Sequence, residues 1–422
     1  MMNKNVSSKL LVALLLLSSA TGTTGAEPSA PAPDRSSYTK SSDIEPLQLT
    51  QRPTTDGRIY INNLNANIES LQKAVALRSP GPLNIQLARA LYHRFRVAGV
   101  LADLEAALAV SNQAVEDMPF SADAWLLLAR VQASFHEFPS AIISLRRAIE
   151  SKASPAATEE LRYEIEQARS GGRKFVSTRS ETISGSLAEY VQRANQAVNL
   201  GEQELAVELL TAAQFHYYDS NPFPLAWLHV QQGILWLRFD DPARAKIFFQ
   251  TARDRLPAYY LATEHLAETE LLLGNFDDAA GLYQEVYAQT GNPEFLAGLA
   301  QAEASLRSES AEATLQRAES EFQALVQRHP PMAWQHAAGF YLEQGQAQRA
   351  LVLAQRNIEI RQDLQSVILL ARAAAEAGAM DVACEQLQLG LSTGFSPPEL
   401  LALVSKLQGS CEGNTRSSQK AS

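Results

Sequence analysis

Residues 233–257 read GILWLRFDDPARAKIFFQTARDRLP. Small residues stand at Gly233, Ala245 and Ala252, large ones at Trp236 and Phe249, and Pro257 closes the stretch. In helix-forming sequence this alternation has a steric purpose. The small positions let two helices approach closely, and the large ones fill the gaps left beside them. Proline at 257 falls between units, where no helical donor is lost. The stretch reads as one helical hairpin that buries its apolar sides against further hairpins.

Those further hairpins are written along the chain. Ala245 is one of a series, Ala141, Ala206, Ala245, Ala279, Ala318, Ala350 and Ala383, with steps of 65, 39, 34, 39, 32 and 33 residues. A recurrence of about 34 residues in helix-forming sequence marks stacked helical hairpins. One unit carries Trp125, Leu128, Ala129, Ala141, Leu145 and Ala148, and the next Gly201, Ala206, Leu210 and Ala213. Beyond the quoted stretch come Leu266, Ala267, Gly274, Phe276, Ala279 and Tyr283, then Trp334, Ala338, Tyr341, Gly345 and Ala350, then Leu370, Ala371, Gly378, Ala383 and Leu387.

These positions resemble the tetratricopeptide repeat, W-x2-L-G-x2-Y followed by A-x3-F and P. Six good units cover most of residues 84–397, with degenerate ones around 84–119 and 294–330, where the spacing needs insertions. The resemblance implies an all-α fold, a right-handed superhelical solenoid of hairpins whose first helices line a concave face. In that family the face commonly grips an extended peptide or a partner's helix. Mapping the inward offsets onto this chain gives Arg130, Asn195, Trp227, Val230, Ile234, Glu264, Glu268, Gln335 and Arg372 as the expected groove lining. The basic and Asn clamp that some members use for acidic C-terminal tails is not reproduced, and Glu264 and Glu268 stand in the lining instead.

At 422 residues the chain exceeds the usual single core, so several domains or one elongated array is expected. Apolar residues make up 46% of it, enough for a packed interior. Residues 1–26 have the three-part layout of a signal peptide: Lys4 and Lys9, the apolar run LLVALLLL at 10–17, and small residues at Thr24-Gly25-Ala26 before an expected cleavage after Ala26. That run is too short to cross about 30 Å of hydrocarbon, and no later stretch reaches the length of a transmembrane segment. Losing Lys4 and Lys9 leaves 34 basic residues against 46 acidic ones, the wrong sign for nucleic acid. The only Asn-x-Ser/Thr triplet, at Asn5, lies inside the signal, which favours a bacterial periplasm.

Residues 27–57 are rich in Pro, Ser and Thr and read as a flexible linker. Residues 58–170 read as degenerate helical repeats, and 171–186 (GGRKFVSTRSETISGS) as a hinge or an extended inter-repeat loop. Residues 187–409 read as the main array, with a capping helix over Leu400 to Leu407 opened by Ser396-Pro397-Pro398-Glu399. Residues 410–422 read as a disordered polar tail.

Catalytic patterns are few. His136-Glu137 lacks a second His at 140, which is Ser140, and falls in a turn. Gly390-Leu391-Ser392-Thr393-Gly394 matches G-x-S-x-G, but it continues a helix where that motif requires a strand. Glu264, His265 and Glu268 share a helix without further His or Cys ligands, and read as packing rather than metal binding. His216-Tyr217-Tyr218-Asp219 reads as inter-repeat packing, and no Gly-rich phosphate loop is present. No enzyme activity, metal or cofactor is expected. Cys384 and Cys411 are expected to pair, pinning the cap in an oxidising compartment. The expectation is an exported, non-enzymatic scaffold for a protein or peptide, in an envelope or secretion assembly. The alternatives are a carrier of glycan or peptidoglycan fragments, with Trp227 as the aromatic platform, and an accessory subunit of a secreted enzyme.

Overall fold

The computed structural model describes residues 52–77, 81–170, 187–395 and 397–418. The signal, the linker as far as residue 51 and the 171–186 stretch lie outside the described residues. The first block holds α1 (Gly57–Leu77), α2 (Gly81–Ala98), α3 (Leu101–Asp117), α4 (Ala122–Ser134), α5 (Phe138–Glu150) and α6 (Pro155–Ser170). Then follow α7 (Leu187–Asn199), α8 (Gln203–Phe215), α9 (Pro222–Arg238), α10 (Pro242–Arg255), α11 (Tyr260–Leu273) and α12 (Phe276–Thr290). The chain continues through α13 (Pro293–Ser305), α14 (Ala311–Arg328), α15 (Pro330–Glu343), α16 (Ala347–Ile360), α17 (Leu364–Glu376), α18 (Met380–Ser392) and α19 (Pro398–Ser418). The described residues contain no strand.

Helices pair as α2/α3, α4/α5 and then consecutively from α7/α8 to α17/α18, each hairpin packing on the next. All seven recurring alanines have 0% exposure, so each marks a point where helices meet closely. At Gly233 an added Cβ would run into the Phe249 ring, the small-against-large contact read from the sequence. Helix starts are set locally. Asn221, Asp241, Asn292 and Asp363 accept from the backbone N–H of Phe223, Arg244, Glu294 and Ser366 at 2.9–3.1 Å. Gly274 ends α11 in the left-handed region at φ +82°, as an achiral residue allows. The long spacing around 294–330 is a complete hairpin: Ala318 and Phe322 take the buried positions, and the extra residues lengthen α14 to 18.

First helices form the inner layer and second helices the outer one. α9, α11 and α17 are buried on nearly every side, whereas α10, α12 and α14 bury one stripe. First helices of adjacent hairpins also touch, from α7/α9 through α15/α17. The array is all-α and superhelical.

Its shape departs from the elongated array in one respect: edges far apart in sequence abut. Thr55 N donates to Ser220 O at 2.7 Å, Gln289 Nε2 to Ala98 O at 2.8 Å, and Gln362 N to Ala168 O at 3.1 Å. Glu105 holds His329 at 2.7 Å and Arg328 at 3.1 Å, His136 Nδ1 meets Pro331 O at 3.2 Å, and Arg238 pairs with Glu399 at 3.4 Å. The turns inside α2/α3 and α4/α5 thus rest on the turns that join later hairpins. Two sequence expectations are corrected at the ends. Arg52–Asp56 is not free linker: Arg52 donates to the carbonyls of Phe215 (2.9 Å) and Tyr217, and Arg255 donates to Arg52 O at 3.0 Å. The last helix does not stop near Leu407 but runs to Ser418, so most of the expected polar tail is helical.

Candidate functional site on the concave face

Four inner helices and two outer ones line a cleft whose empty space, open solvent included, is about 820 Å3. Helix α11 supplies Glu264 and Glu268, α13 Glu294 and Gly298, α15 Gln335, His336 and Glu343, and α17 Leu369 and Arg372; Tyr283 of α12 and Phe322 of α14 complete the wall. The spacing explains the convergence. Residues 264 and 268, and 335, 339 and 343, are four apart and share one helical face. Gly298 leaves the space that the Tyr283 ring fills, since a Cβ there would overlap it.

Charge defines the cavity. Four carboxylates, Glu264, Glu268, Glu294 and Glu343, line it against one guanidinium, Arg372. His265 Nδ1 lies 3.1 Å from Glu264 and 3.2 Å from Glu268, and His336 Nδ1 lies 3.0 Å from Glu294. Burial alone would lower both imidazoles, but the neighbouring carboxylates outweigh it and both stand above the usual histidine value. Burial, then the four glutamates, hold the Tyr283 hydroxyl well above its ordinary value. Burial lowers Arg372, with Glu376 and Glu343 acting against it. A wall of this kind attracts cationic groups.

The nine expected lining residues divide. Glu264, Glu268, Gln335 and Arg372 meet in the cavity. Trp227 and Val230 do not face a ligand: they are 5% and 0% exposed within the core around α9, and Ile234 packs against that core. Arg130 pairs with Glu160 of α6 at 3.1 Å, and Asn195 is partly buried on α7; neither lines the cavity. The reading missed Tyr283, Glu294, His336 and Glu343. Glu343 was recoverable, two turns beyond Gln335 on the same face. Glu294 lies in the stretch whose irregular spacing hid its register.

The other patterns take ordinary places. His136 is buried in the turn between α4 and α5. Ser392 is exposed at the end of α18, its hydroxyl donating to Leu389 O at 2.7 Å. His216 stacks on Tyr190 with centroids 5.3 Å apart. Cys384 of α18 and Cys411 of α19 are joined by a disulfide.

Helix order and packing define a tetratricopeptide-type superhelical repeat array. No protein-family profile matches the chain, and comparison with curated proteins finds no relative. Among solved structures it is similar to a tetratricopeptide repeat protein of Parabacteroides merdae, 14% identical over 69% of this chain and 97% of that one, with TM-score 0.33. PilF of Pseudomonas aeruginosa is 18% identical over 65% of this chain and 99% of its own, with TM-score 0.28. A monomeric IFIT1 mutant with m7Gppp-AAAA is 16% identical over 78% and 76%, with TM-score 0.43.

Proposed function

We propose that this chain is an exported, non-enzymatic scaffold that holds a protein partner on its concave face, seating a basic side chain of that partner in the cavity between α11 and α17. The observation that carries the reading is the four-carboxylate wall, open to solvent and built from the inner faces of successive repeats. An extended segment bearing Lys or Arg matches it in sign and in reach. Nucleic acid is disfavoured because phosphates would meet that same wall. The glycan alternative loses its platform, since Trp227 is buried in the core.

Export rests on the layout of residues 1–26 and on a disulfide that an oxidising compartment permits. Placement in an envelope or secretion assembly follows from export together with the array. Mild crosslinking in an envelope extract, followed by mass spectrometry, identifies the partner. Basic and acidic peptides tested by fluorescence anisotropy check the chemistry: the basic peptide binds, more weakly at high salt, and loses affinity on Glu343→Gln. Equal binding of both peptides, or no salt dependence, would sink the charge argument. Mature protein starting at Glu27 is the expected result of N-terminal sequencing.

A further inference from the structure

Glu264, His265 and Glu268 occupy positions i, i+1 and i+4 of α11, and all three are buried, at 7%, 1% and 7% exposure. One oxygen of each carboxylate points at His265 Nδ1, from 3.1 Å and 3.2 Å. The three ligand atoms all lie within 4.8 Å of one another, so closing on an ion with ligand bonds of about 2.0–2.2 Å takes side-chain adjustment rather than movement of α11. We propose that Glu264, His265 and Glu268 form a binding site for a divalent transition metal of the zinc class, with its open coordination positions toward the concave cavity.

The surroundings suit a cation. The His265 ring is held by stacking on Phe249, centroids 5.1 Å apart, with Nδ1 on the side of the two carboxylates. Gln335 Oε1, in the wall of the same cavity, is a buried acceptor with no donor. One nitrogen and two oxygens suit zinc, with imidazole and carboxylate both among its ligands, and three protein ligands leave a position for water. His265 Nε2 lacks the hydrogen-bond partner that anchors a tight site, which costs about 10–100-fold in affinity. The site is independent of which macromolecule the concave face holds.

The test uses the mature chain, freed of metal by chelation, titrated with Zn2+ alone by calorimetry and with Co2+ by visible absorption. One equivalent binds, and Co2+ develops the d–d bands of a low-coordinate site. Glu268→Gln, which keeps side-chain shape, weakens binding by about tenfold or more and abolishes the bands. Glu285→Gln, at an exposed position of α12 outside the cavity, binds like the unaltered chain. Circular-dichroism melts confirm that both variants fold. Absence of binding to the unaltered chain, or equal affinity in Glu268→Gln and Glu285→Gln, would overturn the proposal and leave the trio as a buried charge pair.

Discussion

A methyl group added at Gly233 would enter the Phe249 ring, whereas one added at Gly281 of α12 meets nothing within 4 Å. Both positions are helical, so both substitutions gain the propensity of alanine, up to about 1 kcal/mol. At Gly233 overpacking costs about 1–3 kcal/mol and wins. Denaturant melts should therefore show Gly233→Ala destabilised and Gly281→Ala neutral to stabilised; the same sign for both would refute the packing account. Titration adds a second prediction at this scale. Burial, then Arg96, lowers His93 to about 4, and burial, then Arg255, lowers His229 to about 3. His136 lies well below its ordinary value for the same first reason. The unfolded chain takes up these protons near the ordinary histidine value of 6.5 and the native one does not, so these groups lower stability as pH falls from about 6.5 toward 4. His265 and His336, raised by their neighbouring carboxylates against the effect of burial, contribute the opposite way: their stabilisation is present below 6.5 and lost as pH rises through their folded values. With three lowered groups against two raised ones, the melting temperature should drop on acidification from pH 7 to 5, and His93→Gln should flatten that slope. A melting temperature that climbs through this range would contradict the assignment. None of these shifts was legible in the sequence, because a histidine shows its burial only once the fold surrounds it.

Helices, by contrast, were legible, because each hairpin packs mainly on its neighbours and the contacts repeat with the period of the sequence. The boundaries that slipped lie where that logic stops. Beyond Leu407 the sequence carries no further repeat pattern, yet α19 continues to Ser418. Arg52–Asp56 has no apolar period, yet its backbone and Arg52 side chain find carbonyls and an arginine on α8, α10 and the turn after α8. The end cap carries its own prediction. The disulfide bridges 27 positions, from α18 to α19. Closing a loop of that size limits the unfolded ensemble by about 3–4 kcal/mol in the chain-entropy account. In a repeat array such a loss acts mainly on neighbouring helices, because most contacts join consecutive hairpins. Cys411→Ser should therefore speed amide exchange in α18 and α19 while leaving α9 to α12 protected. Uniform loss of protection along the chain would show that the cap supports the whole array.

At the scale of the molecule, periodicity identifies which residues face inward but not whether the interior is open there. The same offset rule selected Trp227, which the core covers, and Glu264, which lines the cavity. The difference is made by contacts between edges such as Ala98 with Gln289 and Glu105 with His329, whose separations of 191 and 224 residues belong to no repeat. Gly99 sits at this seam. Its φ is +71°, and a Cβ there would lie 2.7 Å from the Tyr260 ring and 2.8 Å from Thr290 Cγ2. Both contacts belong to the later repeats, so a branched side chain at 99 acts as a wedge between edges rather than within a hairpin. Its cost also includes leaving the left-handed region, about 1–2 kcal/mol for a residue other than glycine. Gly99→Val should enlarge the maximum dimension and radius of gyration in solution scattering while far-ultraviolet circular dichroism keeps its helical signal. Gln289→Ala removes the hydrogen bond to Ala98 without straining the backbone, and should move the scattering the same way by less. If both variants scatter like the unaltered chain while keeping their helicity, the seam does not hold the edges together, and the concave cavity owes its shape to stacking within the array alone.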